Sequence, residues 1–306
     1  MDQSFGIKLP GLVPGYVQRP ADVPALAVEF ERLGFDDVMD GEHILYAAQM
    51  NHPGGAGNFE HSRVEQHSDR WDTLVMFAAI AARTTRLRLV SGIILAAAHT
   101  YAVLARQAAT LDSISAGRFT LGVGGGWNAA EFAQLGIPPA ERAARSEETI
   151  RACRQLWSPG LSSFAGRWIT FTDVICEPAP ATEGGVPVWW GGDARSAPVA
   201  RRVVTLGEGW LSREAADYDE IARSIESIRH ACERHGRDPS TVGVRASLTA
   251  TADWNAAMSP DDLTERAVTR ARRLAALGVT HFNVPLSYYG IGLDALGDLL
   301  KALRAA

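Results

Sequence analysis

Leu87-Arg88-Leu89-Val90-Ser91-Gly92-Ile93-Ile94-Leu95, then Thr100 to Ile114, then Phe119-Thr120-Leu121-Gly122-Val123, set out a strand–helix–strand unit. The first run is apolar except at Arg88, Ser91 and Gly92, which reads as a strand. Thr100–Ile114 reads as a helix, and Phe119–Val123 as a second apolar strand. Apolar strands separated by helices belong to parallel sheets whose outer face is covered by those helices.

The same alternation extends in both directions. Upstream, a strand at Phe5–Leu9 ends at Pro10-Gly11. A helix follows at Asp22–Leu33, with Leu26, Phe30 and Leu33 on one face and Gly34 as its stop. A short strand at Asp37–Met39 and a helix at Asp72–Arg83 lead into the opening stretch. Downstream come a helix at Arg142–Trp157, strand Val186–Trp190, helix Arg195–Leu206, strand Gly209–Leu211 and helix Asp217–His235. Strand Val242–Ala250, helix Pro260–Leu277, strand His281–Val284 and helix Leu293–Leu303 complete the series. Eight strands and eight helices predict an α/β fold, a (β/α)8 TIM barrel; a doubly wound open sheet is the competing arrangement. About 250 residues plus insertions make such a barrel, so residues 1–306 are expected to form one domain.

Two stretches exceed the minimal barrel, one after the second strand and one after the fourth helix. Ile44–Arg70 carries Gly54-Gly55-Ala56-Gly57 and leaves from a strand's carboxyl end, the usual place for substrate walls. Pro159–Gly185 contains Phe164, Trp168, Ile169 and Phe171 between prolines and glycines and reads as an extended excursion with the character of a hairpin. It follows a helix, so it starts at the opposite face, where a structural role is expected.

Composition narrows the function classes. Of 306 residues, 46% are hydrophobic and 21% charged, enough apolar side chain for a large core. A net charge of −5 and scattered arginines give no basic stripe for nucleic acid. Cys153, Cys176 and Cys232 lie far apart, without Cys-x-x-Cys spacing, so reduced thiols are expected. No apolar run reaches the roughly 18 residues of a membrane span. Met1 to Gly6 lacks the basic and apolar regions of a signal peptide, so a cytoplasmic location is expected.

In a barrel, chemistry gathers on the loops that follow strands. The second strand runs out into Asp40-Gly41-Glu42-His43, and a Glu42–His43 pair there can shuttle a proton near neutral pH. The fourth runs into Gly122-Val123-Gly124-Gly125-Gly126-Trp127-Asn128, whose glycines let a ligand approach the backbone and whose Trp127 can stack on a planar ring. From Gly124 the run matches the dinucleotide pattern G-x-G-x-x-A, but the acid expected further on would be Glu147 or Glu148, inside a helix. The fifth ends in Trp189-Trp190-Gly191-Gly192-Asp193-Ala194-Arg195-Ser196. Gly191 and Gly192 precede a helix whose first turn offers Arg195 and Ser196, a setting suited to phosphate. The alternative readings are a helix cap for Asp193 and a surface charge for Arg195. No metal is expected: the first strand has no ligand, and His52, His61 and His67 lie in a loop. A Gly-x-Ser-x-Gly elbow is also missing.

These motifs resemble the luciferase-like monooxygenase superfamily, and within it the coenzyme F420-dependent oxidoreductases. The resemblance runs over nearly the whole chain and is most specific from Leu87 to Leu95 and from Leu104 to Phe119. It continues through Gly122–Asn128, Glu131-Phe132, Leu135-Gly136 and Arg142 to Pro187–Gly192 and Gly207-Glu208-Gly209-Trp210. It implies that His43 sits beside the reactive face of a flavin-type ring, with Glu42 tuning it, and that Gly92-Ile93 forms a non-prolyl cis peptide behind that ring. It also implies that Gly124, Gly125, Gly126, Trp127 and Asn128 line the ring and ribityl chain, and that Gly191, Gly192 and the following turn hold the phosphate. Some relatives look acidic at the position of Trp127, so a second acid–base group is not assumed there. Coenzyme F420 with hydride transfer to or from a small organic substrate is the leading expectation. Reduced FMN with O2 and a separate flavin reductase, and a non-catalytic flavin-binding protein, are the alternatives. The family also implies a homodimer.

Overall fold

The chain is described by a computed structural model, covering residues 3–9, 19–45, 71–214, 216–249, 259–286 and 292–306. Its strands in chain order are β1 (Ser4–Lys8), β2 (Asp37–Asp40), β3 (Arg88–Ser91), β4 (Phe119–Val123), β5 (Ser162–Ala165), β6 (Thr170–Val174), β7 (Val188–Gly191), β8 (Gly209–Leu211), β9 (Gly243–Ser247) and β10 (His281–Pro285). The helices are α1 (Val23–Leu33), α2 (Thr73–Ala81), α3 (Tyr101–Ile114), α4 (Ala129–Gln134), α5 (Arg142–Leu156), α6 (Ala197–Leu206), α7 (Tyr218–His235), α8 (Pro260–Ala276) and α9 (Leu293–Arg304).

Eight strands close in the order β1-β2-β3-β4-β7-β8-β9-β10, every neighbouring pair parallel. The expected TIM barrel is therefore present, and the open sheet is excluded by the β1–β10 pairing. Alternation along β1 shows how the sequence sorts its two faces. Phe5, Ile7 and Leu9 pack into the large core under the helices, so Ser4, Gly6 and Lys8 face the lumen.

Several expected boundaries shift. The strand expected over Leu87–Leu95 ends at Ser91, and the Gly92–Ile93 peptide that follows is cis. Only Ile94 bridges back to β4, at Val123. The helix expected from Arg195 begins at Ala197, so Arg195 lies in the preceding turn. A short helix that the apolar periodicity does not reveal, α4, is capped by Asn128 accepting from Ala130 N at 3.2 Å. Among the described residues no helix is long and apolar enough to cross a membrane.

The excursion after α5 is an antiparallel hairpin of β5 and β6. It starts below the barrel, as expected, but then climbs the outside along α5. Glu148 on α5 accepts from the amides of Arg167, Trp168 and Ile169 at 2.6–3.0 Å, fixing the tip. Phe171 stacks on Tyr101 of α3, with ring centroids 5.4 Å apart. The long loop expected over Ile44–Arg70 lies outside the described residues from position 46 onward.

Toward the amino-terminal side the lumen is filled by charge. Asp37 and Arg245, only 1% and 2% exposed, form a bidentate pair at 2.8 and 2.5 Å across it. Asn283 accepts from the same guanidinium at 2.5 Å. Gly6 is required beside them, because a Cβ there would sit 1.9 Å from an Asp37 carboxylate oxygen. His281 lies edge-on to Trp189 at 4.8 Å. Burial, helped by the Arg245 cation and only partly offset by Asp37, lowers its imidazole pKa to about 4.

Two outcomes follow for stability. Asp37→Ala leaves Arg245 buried without its counter-ion, and denaturant titration should show a loss of about 3–5 kcal/mol. His281 is kept neutral in the fold while the unfolded chain protonates it near 6.5, so its contribution is complete above that pH and drains away as pH falls toward 4. Unfolding titrations of wild type and His281→Asn should therefore diverge by up to about 3 kcal/mol between pH 7 and pH 4, the wild type losing more. Parallel curves would overturn the assignment.

Candidate active site at the carboxyl ends of the strands

The loop after β2 is held by a set of side-chain acceptors. Asp40 accepts from Gly41 N at 2.9 Å and from the Trp71 indole at 2.7 Å. Glu42 donates its amide to Ile93 O at 3.1 Å, while its carboxylate accepts from Leu95 N at 2.5 Å and meets His99 Nε2 at 2.9 Å. One residue thus ties the end of β2 to the loop after β3. Burial opposes charging of His99, but the hydrogen bond and charge of Glu42, with Asp72 adding, outweigh it and raise its pKa.

This corrects the expected Glu42–His43 pair. The Glu42 carboxylate is taken up by His99 and the Leu95 amide. The carboxylate on His43 is instead Glu131 of α4, with Oε2 2.9 Å from His43 Nδ1. Glu131 is 1% exposed, and its other oxygen accepts from Ile44 N at 2.7 Å and Leu45 N at 3.2 Å. A carboxylate acceptor requires the proton on Nδ1, so in the neutral ring Nε2 is the basic nitrogen. Trp127 lies edge-on to His43, centroids 5.6 Å apart at 81°.

The glycines divide into two kinds. Gly124, just past the end of β4, and Gly191, the last residue of the neighbouring β7, flank the Ile93 side chain; a Cβ on either would come within 2.5 or 2.8 Å of it. Their absence of side chain admits Ile93, so close packing explains them. Gly125 and Gly192, by contrast, would meet neighbours no nearer than 3.6 and 3.7 Å. Gly126 and Gly192 adopt φ of 60° and 132°. Together Gly41, Gly92, Gly124 and Gly191 make the β2–β3–β4–β7 sector of the mouth poor in side chains.

Asn128 carries the clearest sign of a ligand in that sector. It is 3% exposed, its Oδ1 is spent on capping α4, and its Nδ2 has no acceptor among the described residues. A buried amide donor without an acceptor costs about 1–3 kcal/mol, which a ring carbonyl or ribityl hydroxyl would recover. The residues present therefore fit a flavin-type group.

At the end of β7, Arg195 is closed on Asp193 through two bonds of 2.8 and 2.7 Å, holding that carboxyl below its usual range. Ser196 takes the N-cap position of α6 without a side-chain cap bond, which excludes Asp193 as the cap. The structure thus gathers His43, Ile93, Trp127 and Asn128 around one sector and places Arg195 at its rim. Glu131 and His99 carried no such role in the sequence reading. Nothing in local spacing connects either to His43 or Glu42, which lie 88 and 57 positions away.

Residues 4–284 match the luciferase-like monooxygenase family, and the chain belongs to it. An uncharacterised Mycobacterium tuberculosis protein is 30% identical over 201 residues, 65% of this chain and 70% of that one. An FMNH(2)-dependent dimethylsulfone monooxygenase of Pseudomonas putida is 29% identical over 228 residues, 74% of this chain and 57% of that one. Among solved structures, an F420-dependent secondary alcohol dehydrogenase in complex with an F420-acetone adduct superposes with a TM-score of 0.77 at 18% identity, covering 99% of this chain and 100% of that one. The protein is thus a member of an oxidoreductase and monooxygenase family whose members act on small organic substrates.

The role of Glu131 is open to direct measurement. Glu131→Ala should lower stability by on the order of 3 kcal/mol through the lost acceptors and speed hydrogen exchange at Ile44 and Leu45. Glu131→Gln, which keeps a carbonyl acceptor, should protect those amides again. Equal exchange in wild type and Glu131→Ala would remove the anchoring role.

Proposed function

We propose that this protein is an F420-dependent oxidoreductase that transfers hydride between the deazaflavin and a small organic substrate. The observation that carries this reading is His43, oriented by buried Glu131 beside a glycine-lined sector that also holds the unsatisfied Asn128 amide. The coenzyme, when bound, supplies the two-electron chemistry. The chain's own residues orient and protonate. Ile93, Gly124, Gly125 and Gly126 form the wall of the sector, with Gly92 behind it, and Asn128 donates to a ligand carbonyl or hydroxyl. Trp127 limits the site beside the imidazole, and His43 Nε2 gives or takes the substrate proton. Gly191, Gly192, Arg195 and Ser196 hold the phosphate once Arg195 releases Asp193. Glu42 acts at a distance, holding the Ile93–Leu95 segment through its amide and carboxylate.

The F420 reading draws on the sequence resemblance and on the fold shared with an F420-dependent dehydrogenase. The FMNH(2)-dependent Pseudomonas relative supports the second reading, a reduced-FMN monooxygenase served by a flavin reductase. The expected homodimer would cover Val75, Val103 and Ile114, which are 51–66% exposed on α2 and α3.

Titration with F420 and FMN, each oxidised and reduced, followed by tryptophan fluorescence, discriminates these readings. Selective F420 binding is expected, and preference for reduced FMN would transfer the protein to the oxygen-using class. His43→Ala should keep coenzyme affinity and lower turnover by about 10²–10⁴-fold. Undiminished turnover would remove His43 from the chemistry. Coenzyme binding with no turnover in the wild type, over a broad substrate panel, would favour the non-catalytic reading.

A further inference from the structure

Opposite the glycine-lined sector, the mouth carries charge. Lys8 is the last residue of β1 and, by the alternation that buries Phe5 and Ile7 outward, faces the lumen. It stands one lumen position above Gly6, which is level with Asp37, so its ammonium rises from the charged floor toward the mouth. Its partner is Glu214, in the turn after β8, and the two side chains are 22% and 36% exposed. In the barrel order β10 and β9 lie between β1 and β8. The pair therefore spans the mouth over those two strands. Among the described residues neither strand carries a charge there: the lumen-facing residues at their upper ends are Pro285 and Ser247, the latter bonded to the Thr249 hydroxyl at 2.9 Å.

Three features of this pair point to a ligand. An ammonium has three donors, and among the described residues Glu214 is the hydrogen-bond partner of Lys8. The two ends differ in freedom: Lys8 is fixed on a barrel strand, whereas Glu214 sits on a turn with its side chain over a third exposed. Exchanging one carboxylate for another on a half-buried ammonium keeps the charge paired, so the swap costs far less than breaking the pair outright. The ladder that closes the barrel runs through backbone pairing of neighbouring strands and does not include this pair.

We propose that Lys8 is the anion-recognition residue of the substrate chamber and that Glu214 occupies the position taken by a substrate carboxylate. This rests on the coenzyme filling the β2–β3–β4–β7 sector, which leaves the β1–β10–β9–β8 sector to the substrate. The substrate class is then a small organic acid, its carboxylate on Lys8 and its reacting carbon directed across the mouth toward His43. Lys8 acts in specificity and positioning and takes no part in proton or hydride transfer.

The test uses full-length protein loaded with whichever coenzyme the titration selects, with benzoate and benzamide as matched probes and calorimetry as readout. Wild type should bind benzoate at least about tenfold tighter than benzamide, the size expected for one charged hydrogen bond. Lys8→Met should erase that preference, and Lys8→Arg should keep most of it. Glu214→Gln should tighten benzoate several-fold by removing the internal competitor. Coenzyme affinity should be unchanged in all three variants, which also reports their folding. Loss of benzoate preference in Lys8→Met together with weaker benzoate in Glu214→Gln would assign the pair a structural role and overturn the proposal. Equal binding of the two probes by wild type would overturn it outright. Failure of wild type to bind either coenzyme, seen before any probe is added, would bring down the coenzyme reading and this proposal with it.

Discussion

A closed barrel of eight parallel strands has to fill its own lumen, and here the ion pair between Asp37 and Arg245 does so across the amino-terminal half. Taking two charges out of water is unfavourable, and the pair persists because its geometry is bidentate and Asn283 accepts a further bond. The consequences spread upward. Gly6 must lack a side chain to admit the carboxylate. Asn283 turns its amide to Met39 Sδ at 3.0 Å, and Met39, Val90 and Leu211 form a small apolar layer above. That layer lies between the charged floor and the carboxyl ends of the strands.

Above this floor the mouth is divided by chemistry. One sector has its strand ends stripped of side chains, with Ile93 wedged between Gly124 and Gly191, and the loop after β4 carries a buried Asn128 amide that has no acceptor among the described residues. The other carries Lys8 and Glu214. A bulky planar group needs the first kind of surface, because backbone and a single branched side chain give a flat wall. A small polar molecule needs the second, because a few placed charges fix its orientation. The imidazole of His43 stands at the margin of the first sector, where a proton can pass to a bound molecule.

Two histidine–carboxylate pairs with different duties flank the site. Glu131 orients His43 and pins the two amides after it, so the loop leaving β2 is fixed from a helix that lies beyond β4. Glu42 with His99 fixes the segment after β3. The rigid strands thus place the loop origins, and buried acceptors define how the loops depart, which is how a barrel can hold reacting groups precisely on otherwise variable connections.

Much of this was legible in the sequence because it is local. Apolar runs of four or five residues alternating with amphipathic helices give the strands and their count, and the count implies closure. Residues at strand ends, such as His43, Gly124 and Asn128, are recognisable because the barrel assigns chemistry to that edge. The resemblance added the cis peptide at Gly92–Ile93, which the structure contains. What the chain alone could not disclose are pairings over long separations. Glu131 on His43, His99 on Glu42, Arg245 on Asp37 and Glu214 on Lys8 lie 57 to 208 positions apart. No periodicity encodes them, since each exists only once closure brings distant strand ends or loops within a few ångströms. Sequence determined which elements form and which edge carries the chemistry; tertiary structure decided which acid faces which base, because the direction of a side chain in a loop is set by its neighbours in space.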